Sequence, residues 1–224
     1  DLGFDGYPSM QKAMQDMVVN RLTSVQRMGV ANDRLGNQDV LSMVLQADIE
    51  KLRRTGETID KNAFQDAVQE ILNAKRIFVI GVRSASALSM FLGYYLNYMF
   101  DNVHTITTSG ASEMFEKLVG VGKGDVVIAF SFPRYSSSVV KGVEYCRTTG
   151  ATVIGVTDQH LSPLGENCDH VLVAKSDMVS LVDSLVAPLS VVNALLVALA
   201  SAREALEEAI EAGDKLTAEN ATKA

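Results

Sequence analysis

The sequence predicts an α/β fold of three layers around a five-stranded parallel sheet, flavodoxin-like in type and preceded by a helical segment. Five short apolar runs have the length and composition of strands, at 77–81, 103–107, 126–131, 152–157 and 170–174. Helical patterns separate the first four runs, and the shorter loop QHLSPLGENCD precedes the fifth. Because the runs are almost continuously apolar rather than alternating, we expect strands that are covered on both faces. Such an alternation of strands and helices is typical of a parallel sheet with right-handed crossovers.

Three helices are predicted ahead of the sheet, over 8–28, 39–54 and 61–74. Each has apolar residues at three-and-four spacing, which is typical of a helix with one apolar face. The polar, glycine-containing stretch 29–38 predicts a linker between the first two helices. Thr55-Gly56 predicts the end of the second helix, and Asp60 is the expected N-cap of the third. The apolar side of the second helix consists of Leu41, Val44, Leu45, Ile49 and Leu52.

The chain ends in a long apolar stretch and a polar tail. Residues 179–200 approach the length of a membrane span, but Asp183, Pro188 and Asn193 interrupt them. We therefore expect a helix that is buried in a soluble domain. Because this stretch is apolar nearly all round, one sheet cannot cover it, and we expect a second copy of the chain to cover the rest. Residues 213–224 predict a polar tail.

The composition limits the possible partners and the cellular compartment. The net charge is −7, so the chain has no overall field to attract nucleic acid or an anionic membrane. Cys146 and Cys168 have no CxxC spacing and follow no secretory signal, which is typical of proteins of the reducing cytoplasm. His, Cys and Asp residues form no cluster with the spacing of a metal site, so neither a metal nor another cofactor is expected.

Serine-rich loops follow the first and third predicted strands, at the end where parallel sheets bind their ligands. The first loop, GVRSAS, begins at Gly81 and offers Arg83, Ser84 and Ser86. A glycine lets the backbone turn sharply beside a ligand, and hydroxyls together with backbone N–H groups at a helix N-terminus can cradle a phosphate. Arg83 could equally pair with a carboxylate on the protein surface.

The second loop, SFPRYSSS, has the same layout and again contains one arginine. Ser131, Ser136 and Ser137 supply hydroxyls, although Ser136 and Ser137 could serve only as N-caps of the next helix. Arg134 favours a ligand site, because a guanidinium can hold a phosphate or carboxylate with two parallel hydrogen bonds. Charged hydrogen bonds contribute about 1.5–3 kcal/mol each, against about 0.3–1 kcal/mol from a helix dipole. Together the loops predict a site for a small, oxygen-rich anion.

Candidates for acid–base catalysis are few. Glu113 begins the helix after the second strand and is the best-placed acid or base, although a helix N-terminus favours a glutamate for its dipole alone. His160 follows the fourth strand and could approach a ligand, or could be an ordinary loop residue. The sequence contains neither a nucleophile elbow nor a Walker-type loop.

These patterns resemble the sugar isomerase (SIS) domain over about residues 39–212. In that family the two loops typically read GxGxS and SxSGxT and hold a phosphosugar. Here Arg83 stands where the second glycine would be, and Ala85 stands at the usual serine position. In the second loop Pro133 and Arg134 replace Ser-Gly, while a serine remains at each of the flanking positions 131 and 136. The resemblance implies the three-layer SIS fold and a ligand that is a phosphosugar or another acidic metabolite.

Residues 1–28, which include DLGFDGYPSM, resemble the end of the helix-turn-helix domain of RpiR-type bacterial transcription regulators. Those proteins join such a domain to a C-terminal SIS domain. The resemblance implies that the helices that enter DNA lie upstream of Asp1 and that residues 39–212 are a sensor without enzymatic activity. It also implies a homodimer or a larger homo-oligomer. One alternative is an aldose–ketose sugar-phosphate isomerase with Glu113 or His160 as its base, and another is an SIS scaffold with an empty site.

Overall fold

The computed structural model describes residues 39–177 and 182–222. The predicted helix 8–28 and linker 29–38 lie outside the described residues. The helices are α1 Val40–Thr58, α2 Lys61–Leu72, α3 Ser86–Met99, α4 Ala111–Leu118, α5 Ser137–Thr148 and α6 Val186–Thr222. The strands are β1 Ile77–Gly81, β2 Val103–Ile106, β3 Val126–Phe130, β4 Thr152–Thr157 and β5 His170–Val173.

The sheet has the predicted five parallel strands. Their order is β2-β1-β3-β4-β5, and each neighbouring pair is parallel. All five residues of β1 and of β3 are buried, as their continuous apolar runs predict for strands that are covered on both faces. The predicted α/β class and sheet are therefore confirmed.

Helices cover the sheet on both sides and make two apolar cores. The first core joins α2, α3 and α6 to one face of the sheet, and residues such as Ile71, Leu92 and Leu195 are almost completely inaccessible in it. The second core joins α4 and α5 to the other face, through residues such as Leu118 and Val143. The chain is thus a three-layer sandwich with its apolar mass on either side of a buried sheet.

The helix α6 contains most of the long apolar stretch. Val186–Ala205 has the length and composition of a membrane span, with a mean hydropathy of 1.7. Yet Val191, Val192, Leu195 and Leu199 point into the first core and are at most 5% exposed, so the apolar composition is weak evidence for a membrane. The helix continues past residue 212, where the sequence predicts a polar tail, as far as Thr222.

The helix α1 departs from the sequence prediction in its end and in its orientation. It ends at Thr58, so Thr55 and Gly56 are helical, and a Cβ at Gly56 would meet nothing within 4 Å. Most of the predicted apolar side faces outward, with Leu41 68% and Ile49 57% exposed, whereas Val44 is half-buried. Asp60 is the N-cap of α2 and accepts hydrogen bonds from two backbone N–H groups of its first turn, as predicted.

Candidate functional site

The two serine loops lie side by side at the carboxyl edge of the sheet. Since β1 and β3 are hydrogen-bonded neighbours, Gly81 lies opposite Phe130 where the strands end. The helix that follows β1 packs on one face of the sheet, and the helix that follows β3 packs on the other. Such a switch in direction opens a crevice between the two loops, where doubly wound folds bind ligands.

A cavity of about 200 Å³ fills this crevice. Of the predicted site residues, the cavity is lined by Arg83, Ser84, Ser131, Arg134 and Ser136. Its wall is completed by Val82, Ala85, Phe130, Phe132, Pro133 and Asp183. The arginine of each loop and hydroxyls of both loops therefore share one space, although 51 positions (134 − 83) separate the two arginines along the chain.

The backbone of both loops is strained at the arginine. Arg83 has φ +56° and Arg134 has φ +69°, and within the described residues all other positive φ angles belong to glycine. A side chain with a Cβ pays roughly 1–3 kcal/mol for this left-handed conformation. Both arginines stand where the SIS pattern has glycine, so the loops keep a conformation that suits glycine and add a guanidinium to it. Strain of this kind persists mostly at functional sites.

The serines of the second loop are held by one another. Ser131 is 4% exposed, and its Oγ accepts a hydrogen bond from the backbone N–H of Ser136 at 3.3 Å. Ser136 has the N-cap position of α5, but its side chain makes no capping hydrogen bond and instead contacts the hydroxyl of Ser138 at 2.9 Å. Capping therefore does not explain the Ser136 hydroxyl, which lines the cavity instead.

Asp183 is a residue of the cavity that the sequence analysis missed. The Arg134 guanidinium donates from Nη2 to its Oδ2 at 2.7 Å. The Asp183 side chain is 8% exposed and that of Arg134 is 40% exposed, so the carboxylate is buried and the arginine reaches solvent. An anion that binds Arg134 thus meets a carboxylate already in place. The available signal was that Asp183 is the only charged residue in the apolar stretch 179–200.

The remaining predicted residues lie outside the wall of this cavity. Ser86 starts α3 and donates its hydroxyl to the carbonyl oxygen of Arg83 at 2.6 Å, so it braces the first loop. Ser137 is exposed at the start of α5. His160 is exposed in the loop after β4.

Glu113 is exposed in the first turn of α4, which follows the edge strand β2. Its carboxylate accepts a hydrogen bond from Thr108 and pairs with Lys117 at 3.2 Å. These two partners lower the pKa of Glu113. A general base works best with a pKa near the working pH, so this environment disfavours Glu113 in that role. Within the described part of the chain, no group of His, Cys, Asp or Glu side chains is arranged to hold a metal ion.

Comparison with known proteins identifies a family. The family model of the SIS domain matches residues 70–198. An uncharacterized HTH-type transcriptional regulator of Clostridium perfringens is 24% identical over 172 residues, which cover 76% of this chain and 61% of the regulator. The phosphoheptose isomerase of a Bradyrhizobium species is 36% identical over 78 residues, which cover 34% of this chain and 39% of the isomerase. The chain thus spans less than two thirds of the length of these relatives.

Solved structures share the fold. The sugar isomerase domain of an RpiR transcription factor from Sphaerobacter thermophilus superposes with a TM-score of 0.71 and 29% identity, over 80% of this chain and 99% of that domain. The Vibrio vulnificus NanR protein, solved in complex with ManNAc-6P, superposes with a TM-score of 0.66 and 19% identity, over 96% of this chain and 76% of NanR. The regulator matches cover more of the chain than the matches to the named isomerases do.

Proposed function

Because this chain belongs to the SIS domain family, we propose that it is the ligand-sensing part of a transcription regulator and that it binds a phosphosugar or a related acidic metabolite. The ligand binds in the cavity between the β1 and β3 loops and controls DNA binding by the longer protein. The similarity to the Clostridium perfringens regulator and to the RpiR factor supports the regulatory role.

The observation that carries the proposal is the pairing of two arginines with serine hydroxyls around one cavity. Arg83 and Arg134 both line it, and two guanidinium groups give the site a net positive charge even beside the Asp183 carboxylate. A phosphate or carboxylate can accept two parallel hydrogen bonds from a guanidinium, while hydroxyls such as those of Ser84 and Ser136 complete its shell. NanR, which was solved with a sugar phosphate, has the same fold.

We further propose that the sensor works as a homodimer in the cytoplasm and that the second copy covers the groove between α3 and α6. This α3–α6 groove is lined by Phe91, Tyr95, Tyr98, Met99, Asn193, Leu196, Val197 and Ala200. Tyr98 is 73% and Val197 66% exposed. Adjacent exposed apolar side chains of this size mark interaction surfaces in soluble proteins.

A sugar-phosphate isomerase is the rival function, since the chain is also similar to a phosphoheptose isomerase over 78 residues. Isomerisation requires a base beside the first two carbons of the sugar. Among the residues that line the cavity, the side chain that could serve as a carboxylate base is that of Asp183, and it is paired with Arg134. Turnover of any aldose or ketose phosphate by the purified chain would favour the isomerase over the sensor.

The decisive experiment is a thermal-shift screen of phosphosugars, including ManNAc-6P, and of sugar acids, followed by calorimetry on the compounds that stabilise the protein. Arg134→Ala should then weaken binding by one to two decades, from the loss of about 1.5–3 kcal/mol in charged hydrogen bonds.

The matched control is Arg147→Ala, because Arg147 is also about half exposed but pairs with Asp169 near the far end of α5. It should leave the affinity unchanged. Equal affinities for the Arg134→Ala variant and the unmodified protein would refute the site.

A further inference from the structure

The helix α1 lies against α6, but the side chains that it buries are polar. The buried residues of this helix are Lys51 and Thr55, which are 4% and 5% exposed. Its apolar residues Leu41, Leu45 and Ile49 are more than half exposed. Individual hydrogen bonds contribute little net free energy, so a helix held in this way can be released at low cost, unlike α2, whose Ala67 and Ile71 are completely buried.

One polar route runs from Arg134 to the middle of α1. Arg134 pairs with Asp183 in the cavity, and the next residue, Ser184, donates its hydroxyl to Asp48 Oδ1 at 2.7 Å. The same oxygen of Asp48 accepts a hydrogen bond from Lys51 Nζ at 3.1 Å. The side chains of Asp48 and Lys51 are only 16% and 5% exposed, so this contact is largely shielded from water. Asp183 and Ser184 are adjacent in the chain, so the segment that meets the guanidinium is also the one that holds α1.

A second polar route starts at the neighbouring residue, Tyr135. Its hydroxyl donates to Asp158 Oδ1 at 2.7 Å, and the carbonyl oxygen of Asp158 accepts from Lys175 Nζ at 3.2 Å. The backbone N–H of Lys175 then donates to Thr55 Oγ1 on α1 at 2.9 Å. Two adjacent residues of the ligand loop are thus connected to the buried side of the same helix.

We propose that α1 is the output element of the anion site. This inference rests on the proposed function, because it assigns the step by which ligand binding reaches the N-terminal part of the chain. An anion that binds Arg134 competes with the Asp183 carboxylate for the guanidinium. When Asp183 loses its ion pair with Arg134, the hydrogen bond between Ser184 and Asp48 weakens, and α1 changes its position on the domain. Since α1 starts directly after the predicted linker 29–38, its movement displaces whatever that linker carries.

Hydrogen exchange without any ligand tests the coupling first. Asp183→Asn has nearly the same shape but removes the charge that holds Arg134, so it should speed amide exchange in α1 roughly fivefold, as the loss of about one hydrogen bond predicts. Ser184→Ala should do the same, and the double variant should show no larger effect than either single one. Exchange in α2 serves as the internal reference. As a matched control, Ser190→Ala changes an exposed serine of α6 and should leave α1 unaffected.

Binding of inorganic phosphate to the anion site then tests the same coupling to α1. Saturating phosphate should speed exchange in α1 of the unmodified protein and add nothing in Ser184→Ala. Because this variant already lacks the contact that the anion has to loosen, it should bind phosphate at least as tightly as the unmodified protein. If phosphate binds and the binding depends on Arg134, but exchange in α1 does not change, α1 is not the output element. If phosphate does not bind, the proposed anion site fails, and the Asp183→Asn result still decides the coupling. Unaltered α1 exchange in Asp183→Asn would overturn the inference by itself.

Discussion

The strained arginine of the first loop predicts that a single substitution raises stability and weakens ligand binding. Arg83 is exposed and has φ +56°. Glycine adopts this conformation without a steric penalty, so Arg83→Gly removes strain of roughly 1–3 kcal/mol. The greater freedom of glycine in the unfolded chain returns roughly 0.5–1 kcal/mol of that gain. The net stabilisation should be about 1 kcal/mol, which corresponds to an increase of about 2–4 °C in Tm for a chain of this size.

The control for this prediction is Arg83→Ala. Alanine removes the same guanidinium but keeps a Cβ in the left-handed conformation, so its Tm should stay close to that of the unmodified protein. Thermal unfolding followed by circular dichroism gives the two Tm values, and calorimetry with a ligand from the screen gives the affinities. Both variants should lose affinity to a similar extent. If the glycine variant is no more stable than the alanine variant, the backbone at Arg83 is not strained, and the link between strain and ligand binding fails.

The remaining predictions concern assembly, pH and DNA. Val197→Glu places a charge in the α3–α6 groove and should halve the mass measured by sedimentation. Val119 is similarly exposed, at 72%, but lies outside that groove, so Val119→Glu should leave the mass unchanged. A monomeric unmodified protein would refute the dimer. Burial opposes the ionisation of Asp125, but hydrogen bonds from Arg76 and from the N–H of Gly122 outweigh it and lower the pKa of Asp125. Its stabilisation is therefore complete above the ordinary carboxyl pKa of about 4 and is lost as the pH falls through the lowered value. Asp125→Asn should lower the free energy of unfolding by about 2 kcal/mol at pH 7, as measured with denaturant. It should also reduce the loss of stability between neutral and acidic pH. An unchanged loss of stability at acidic pH would contradict this role of Asp125. The present chain, with its net charge of −7, should not retard its operator DNA specifically in a gel shift, while the longer protein with its DNA-binding domain should; specific retardation by the short chain would reopen the isomerase interpretation.

The parts of the fold that the sequence predicts well are those set by continuous apolar runs. Each predicted strand agrees with the structure to within one residue at either end. For β1 and β3 the reason is that a strand covered on both faces is apolar throughout. The edge strand β2 is only partly buried and contains the exposed His104, so this reason does not extend to it. Helix ends are predicted less well. Thr55-Gly56 lies inside α1, since an exposed glycine costs a helix only about 1 kcal/mol. Thr55 also accepts a partly buried hydrogen bond from the backbone N–H of Lys175.

The sequence predicts those parts of the candidate site that lie close together along the chain. A strand, a loop and a helix start lie within a few residues of one another, so each serine loop can be recognised by itself. Asp183 could not be found in this way, since it meets Arg134 across 49 positions of the chain. A buried charge requires a partner of opposite charge, so a lone aspartate in an apolar stretch does predict an arginine or lysine somewhere nearby. Which cation it meets depends on the packing of α6 against the sheet.

The orientation of α1 illustrates a different limit. Periodicity divides a helix into an apolar side and a polar side, and for a helix that packs on one domain the apolar side is expected to face inward. In α1 the polar side faces inward, because Asp48 accepts a hydrogen bond from Ser184 and Thr55 accepts one from the backbone of Lys175, while Lys51 pairs with Asp48 within the helix. Periodicity contains no information about those partners. The reversal has a functional consequence, since a helix that buries its leucines on the sheet would be fixed there by the hydrophobic effect. A helix that is hydrogen-bonded to the segments beside the ligand loop, at Ser184 and Lys175, can instead respond to what that loop binds.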